Sequence, residues 1–309
     1  MQACLDRARL AAQTDLPILI LGESGAGKTI LARAIHNSSA RKGGPFISFN
    51  AAALSETLLD SQLFGHERGA FTGAQHRVKG KFELADGGTL FLDEVADLSP
   101  LAQGKILRAV ETGEFERLGS ETLQRAEVRL VSATHYPLAD RSGRTGFRED
   151  LFFRISGITL TVPSLRDRPR DLPMLVATEI ANASRRQRKP ITALDRAAVD
   201  KLLAYRWPGN LRELSTVIHA AVALAKNEVL SEDLLLLADP SPTVDGPPPT
   251  TAPPPSSQPN HCLRDAVHRH IDSVLQAVGG NKRRAARELG VSRATLDRKL
   301  REMARRSRR

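Results

Sequence analysis

Gly22-Glu23-Ser24-Gly25-Ala26-Gly27-Lys28-Thr29 has the spacing G-x-x-x-x-G-K-[ST] between an apolar run and a helix-like segment. The glycines let backbone N–H groups curl around phosphates, and a helix N-terminus adds partial positive charge. Lys28 is expected to reach the β- and γ-phosphates and Thr29 to ligate Mg²⁺. Further on, Thr89-Leu-Phe-Leu-Asp93-Glu94 is an apolar run ending in two acids. Asp93 would complete the Mg²⁺ shell and Glu94 would polarise an attacking water. Together the two motifs predict hydrolysis of ATP or GTP. They do not say what the energy is used for.

These residues need rigid elements beneath them. Pro17–Leu21, Thr89–Leu92 and Val128–Ser132 read as buried strands, and Thr29–Ile35 as a helix. Such alternation predicts an α/β fold with a mostly parallel sheet, here residues 1–165. From about residue 170 the pattern turns helical, over Met174–Ser184, Ala193–Tyr205 and Leu211–Ala225, with no strand signal. Residues 166–238 therefore read as a helical lid. Residues 239–260 hold nine of the 18 prolines and read as an extended linker. Residues 261–309 form a separate C-terminal unit, and no internal repeat is present.

The charge is uneven along these units. The chain of 309 residues carries a formal net charge of +10, and residues 261–309 hold 14 Lys plus Arg against 5 Asp plus Glu. A near-neutral body with a basic end suggests that the end meets a polyanion. A hydrophobic content of 41% excludes wholesale disorder. No apolar run approaches the roughly 18 residues of a membrane span. The start shows no signal-peptide pattern, and Cys4 and Cys262 are the only cysteines, so a cytoplasmic protein without disulfides is expected.

Residues 63–74 read LFGHERGAFTGA. With this segment the chain resembles the sigma-54-dependent transcriptional activators, the bacterial enhancer-binding branch of the AAA+ ATPases. The resemblance covers residues 1–238 and resumes after the linker. Gly69-Ala70-Phe71-Thr72-Gly73-Ala74 matches the loop tip with which that family touches sigma-54 in the polymerase holoenzyme. Small residues suit a low-profile tip, and Phe71 supplies an aromatic contact. The resemblance assigns further roles. Asn50 would hold Glu94 according to nucleotide state, and Thr134 with His135 would form a sensor of bound nucleotide. Arg148 and Arg154 would reach the γ-phosphate in a neighbouring subunit, and Arg212 would contact nucleotide from the lid. A guanidinium acting in trans is worth about 10³–10⁵ in rate and demands an oligomer; the resemblance implies a hexameric ring built from dimers. Two positions depart from the family pattern: Thr29 follows the lysine where an acid is usual, and Gln62 stands where Glu is usual. Family members also carry a stretch ahead of Gln2 that packs on adenine, so the start is expected to be truncated.

In the C-terminal unit, apolar residues at helical spacing end at Gly279-Gly280, and Gly290 turns the chain before Ser292 caps another helix. This is a helix-turn-helix signature, and NKRRAARELGVSRATLDRKL resembles the Fis-type DNA-binding domain. Ser292, Arg293, Thr295 and Arg298 would face base edges of double-stranded DNA, with Lys282, Arg283, Lys299 and Arg301 on phosphates. The whole then reads as an ATP-driven activator that binds upstream DNA and remodels the sigma-54 holoenzyme. The alternatives are a DNA-binding regulator acting by occupancy alone, and a AAA+ remodeller unrelated to sigma-54.

Overall fold

The computed structural model describes residues 1–52, 55–136, 138, 146–237, 282, 284 and 285. In chain order the first half forms α1 (Gln2–Ala12), β1 (Ile18–Leu21), α2 (Lys28–Asn37), β2 (Phe46–Asn50), α3 (Glu56–Phe64), β3 (Gly65–His66), β4 (Val78–Lys79), α4 (Lys81–Leu84), β5 (Thr89–Asp93) and α5 (Pro100–Thr112). There follow β6 (Glu114–Glu116), β7 (Leu123–Arg125), β8 (Arg129–Thr134), α6 (Glu149–Ile155), β9 (Ile158–Thr161), α7 (Leu172–Gln187), β10 (Ala193–Leu194), α8 (Arg196–Ala204), α9 (Asn210–Leu224) and β11 (Val229–Leu230).

Five strands make one parallel sheet in the order β2-β5-β8-β1-β9. The unbroken apolar runs of β1 and β5 are what central parallel strands need, since both of their faces are covered. Their residues alternate between two cores. Ile18, Ile20, Phe91, Val131 and Ala133 pack with Ala8, Ala12, Leu31 and Ile35 of α1 and α2. Leu19, Leu90, Leu92 and Leu130 face the other way, toward Leu63, Phe64, Ile106 and Leu151. Buried Arg129 donates to Ala11 O (2.7 Å) and Ala12 O (3.2 Å), carbonyls of the last turn of α1.

The register sets the site. Leu21 lies opposite Thr134 and Asn50 opposite Asp93, so β1, β2, β5 and β8 end along one edge. Ligands of open α/β sheets bind outside these carboxyl ends.

Two hairpins project from the sheet. The antiparallel pair β3–β4 encloses the GAFTGA segment, and β6–β7 lies beside it through a bridge between His66 and Leu118. Arg117, 5% exposed, ties them together: it donates to Glu67 (3.0 Å), Glu83 (2.8 Å) and Gln124 (3.0 Å).

The helical part has its own core around Trp207, Leu214, Ile218, Leu202 and Val176. One expectation is corrected here. Ala193-Leu194 is not the first turn of a helix but a short strand paired in parallel with Val229-Leu230. Asp195 is the reason: its side chain accepts from Ala198 N (2.6 Å), fixing the helix start at Arg196 and leaving the preceding residues extended. The sheet also has two strands beyond the three read from sequence, β2 and β9. The linker and most of the C-terminal unit, including Arg283, Ser292, Arg293, Thr295, Arg298, Lys299 and Arg301, lie outside the described residues. Lys282 is described, as an exposed helical residue.

Candidate active site

The segment from Gly22 to Gly27 leaves β1 and delivers Lys28 as the first residue of α2. Gly25 has φ +75°, and a Cβ there would stand 2.4 Å from the carbonyl oxygen of Gly209, so both conformation and close approach to the lid require glycine. The lid holds this loop largely by hydrogen bonds. Leu211 N donates to Gly25 O (3.0 Å), Arg168 to Ala26 O (2.8 Å) and Arg212 to Ser24 Oγ (3.0 Å). Arg166 pairs with Glu23.

Between loop and lid lies a cavity of about 450 Å³, lined by Ser24, Gly25, Gly27, Lys28, Thr29, Asp93, Glu94 and Arg212, with α7 and α9 closing the far side. Lys28 is 6% exposed, and its Nζ donates to Gly22 O (2.9 Å), Glu23 O (3.3 Å) and Glu94 Oε1 (3.5 Å). The two acids at the end of β5 are held differently. Burial pushes the Asp93 carboxyl up, and the neighbouring Glu94 charge adds to this. Burial acts the same way on Glu94, but the hydrogen bond from His135 and the Lys28 charge outweigh it and hold the group below the usual carboxylate range.

Asn50 and Thr134 lie at the ends of β2 and β8. Asn50 Oδ1 accepts from Ala52 N (2.8 Å) and does not hold Glu94. Glu94 Oε2 is met instead by His135, through Nδ1 at 2.7 Å and backbone N at 3.3 Å. Glu94 sits in the left-handed region, at φ +53°. Thr134 is fully buried, its hydroxyl accepting from Tyr136 N (3.1 Å), and it meets the phosphate loop through its carbonyl, which accepts from Gly22 N (3.3 Å). Arg148 and Arg154 lie outside the cavity. Arg148 pairs with Asp150 (2.7 Å), and Arg154 donates to Val110 O (3.3 Å).

The loop tip is a closed turn. Gly69 N donates to Ala74 O (2.9 Å) and Ala74 N to Phe71 O (3.0 Å). Thr72 and Gly73 are exposed at its crest, Ala70 is half-buried, and Ala74 is buried. Phe71 is half-buried, its ring edge-on to His66 with centroids 5.0 Å apart.

A family model for the sigma-54 interaction domain matches residues 1–161, one for the AAA+ ATPase lid domain residues 166–240, and one for bacterial regulatory proteins of the Fis family residues 263–303. The chain belongs to the sigma-54-dependent transcriptional activators. It is 45% identical over 301 residues to the transcriptional regulatory protein ZraR of Klebsiella oxytoca, covering 97% of this chain and 66% of the relative. It is 40% identical over 313 residues to the DNA-binding transcriptional regulator NtrC of Azospirillum brasilense, covering 94% and 65%. The chain thus spans slightly less than two thirds of these relatives' length. Among solved structures it resembles NtrX from Brucella abortus in complex with ATP, with TM-score 0.69 and 32% identity over 98% of this chain and 67% of that one.

In this chain the lid holds a residue that sequence reasoning passed over. Asn210, fully buried at φ +52°, accepts from Leu165 N (2.7 Å) and donates to Glu23 Oε2 (3.1 Å) and Ser24 O (3.1 Å). Its sequence signal is its place in Trp207-Pro-Gly-Asn-Leu-Arg-Glu-Leu214, two residues before Arg212. Glu213 caps the same helix start, accepting from Gly209 N (2.8 Å) and Tyr205 OH (2.7 Å).

Proposed function

We propose that this chain hydrolyses ATP and uses the cycle to drive its GAFTGA loop against the sigma-54 RNA polymerase holoenzyme, opening the promoter while its C-terminal unit holds upstream double-stranded DNA. The convergence of Lys28, Asp93, Glu94 and Arg212 on one cavity carries this reading. ATP is the substrate. Lys28 and the N-terminus of α2 bind its phosphates, and Arg212 supports them from the lid. Glu94, kept ionised by its surroundings, accepts a hydrogen bond from the attacking water once it leaves His135. Arg148 and Arg154, exposed and outside their own cavity, supply charge to a neighbour's γ-phosphate in a hexameric ring.

The residues also fit Mg²⁺. That ion takes one or two protein oxygens beside phosphate and water, not a full protein cage. Thr29 and Asp93 line the same cavity, and Asp93 commits only Oδ1 to a hydrogen bond among the described residues, with Glu94 N at 3.1 Å. When bound, the ion would neutralise phosphate charge as the γ-phosphoryl group is transferred.

The test is open-complex formation by the purified chain on a sigma-54 promoter. Wild type should open it only with hydrolysable ATP, and Lys28→Ala should not. Phe71→Ala should hydrolyse ATP within about twofold of wild type yet fail to open the promoter. Regulation by Lys28→Ala equal to wild type, with DNA binding intact, would leave occupancy as the function.

A further inference from the structure

Gln103 lies in α5, is 1% exposed and is not part of the nucleotide cavity. Both ends of its amide are engaged with backbone. Nε2 donates to Leu98 O (2.8 Å) and to Gly146 O (3.5 Å), and Oε1 accepts from Arg148 N (2.7 Å). Leu98 ends the short 3₁₀ turn Val95–Asp97 that begins directly after Glu94. Arg148 is the N-cap residue of α6. One buried side chain therefore joins the segment leaving the acidic strand to the base of the exposed arginine.

A buried glutamine seldom survives in an apolar surrounding unless its polar atoms are matched. Here Ala102 and Ile106 of the same helix belong to the apolar core. The amide supplies what an apolar residue cannot: a fixed anchor for the peptide N–H of Arg148. The guanidinium itself is exposed and, among the described residues, paired with Asp150. Its reach is set by where its backbone is held.

We propose that Gln103 is a positioning residue that fixes Arg148 for work in the neighbouring subunit and ties its placement to the segment carrying Glu94. This inference rests on the reading of Arg148 as acting in trans. A displacement of about 1 Å in a group that must meet a reacting phosphate costs on the order of 10²-fold in rate. Gln103→Met, similar in volume but without the amide, should lower kcat for ATP hydrolysis about tenfold to a hundredfold. ATP binding, followed with a fluorescent analogue, should stay within about twofold.

The deciding measurement is complementation in mixed rings of the full chain. Lys28→Ala subunits cannot hydrolyse ATP but carry an intact Arg148. Mixed with Gln103→Met subunits they should raise turnover per Gln103→Met subunit at least about fivefold. Arg148→Ala mixed with Lys28→Ala is the reference and should recover in the same way. Recovery in the reference but not with Gln103→Met overturns the inference, because Gln103 would then act within its own subunit. Wild-type turnover from Gln103→Met alone reduces the residue to packing and overturns it too. Failure of the reference mixture refutes action in trans and takes this inference with it. If Gln103→Met does not fold, Gln103→Asn, which keeps the amide one methylene short, carries the same expectations.

Discussion

The nucleotide cavity and the base of the GAFTGA loop both depend on ionic groups, yet they use them in opposite ways. In the cavity, Lys28 and Glu94 are partnered at 3.5 Å, a long contact that a phosphate or a water can replace. At the loop base, Arg117 is 5% exposed and forked between Glu67 and Glu83 at 3.0 and 2.8 Å, with Gln124 taking a further donor. The first arrangement is poised for exchange. The second is closed around Arg117, whose guanidinium has lost water and found substitutes within the protein, while the Glu67 and Glu83 side chains stay partly exposed. A buried pair of that kind contributes little net stability against an apolar replacement, but losing one member is costly. The difference separates a site that must release its partners from a hinge that must hold its register.

The largest effect expected from breaking this contrast is on the cavity side. Arg148→Ala should lower kcat for ATP hydrolysis by about 10³–10⁵, with melting temperature changed by no more than a degree or two, since the side chain is exposed. Glu94→Gln should lower kcat by about 10²–10⁴ while ATP still binds, as single-turnover and binding assays would separate. On the loop side the loss should appear first in folding. Arg117→Ala leaves Glu83 with only Lys79 (3.2 Å) and Glu67 with only Arg77 (3.5 Å) among the described residues and should cost about 1–3 kcal/mol, a fall in melting temperature of several degrees at about 2–4 °C per kcal/mol. Arg117→Met should recover part of it.

The smallest effect is a pH dependence. Burial raises the Glu83 carboxyl, but hydrogen bonds from Arg117 and Lys79 outweigh it and hold the group below its ordinary value of 4.5. A carboxylate depressed in the folded state stabilises the protein above its unfolded value, and that contribution disappears as pH falls through the folded one. The melting gap between wild type and Glu83→Gln should therefore be full at pH 7 and narrow as the pH drops below about 4.5. A gap that widens on acidification would show that Glu83 is not held by Arg117.

Much of the cavity was readable because its chemistry is local. The phosphate loop needs glycines at fixed spacing within eight residues, and two acids must follow one apolar strand; both constraints leave a mark in sequence order. The central strands were readable for a similar reason, since burial on both faces demands unbroken apolar runs. β2 and β9 escaped because they lie at the sheet's edges, where FISFN and ITLT mix polar with apolar positions. Ala193-Leu194 carries no strand signal in sequence because two residues are too short to show a period.

Sequence alone determined which groups could do phosphate chemistry and that a sheet edge had to carry them. The family pattern added the loop tip and the arginines. Only the tertiary structure decided the partners. It gave Glu94 to His135 and Lys28 instead of Asn50, closed the phosphate loop with Asn210 from 187 residues away, and set Arg148 on the amide of Gln103. A hydrogen bond depends on distance in space, and residues far apart in the chain acquire that distance only when the cores beneath them pack.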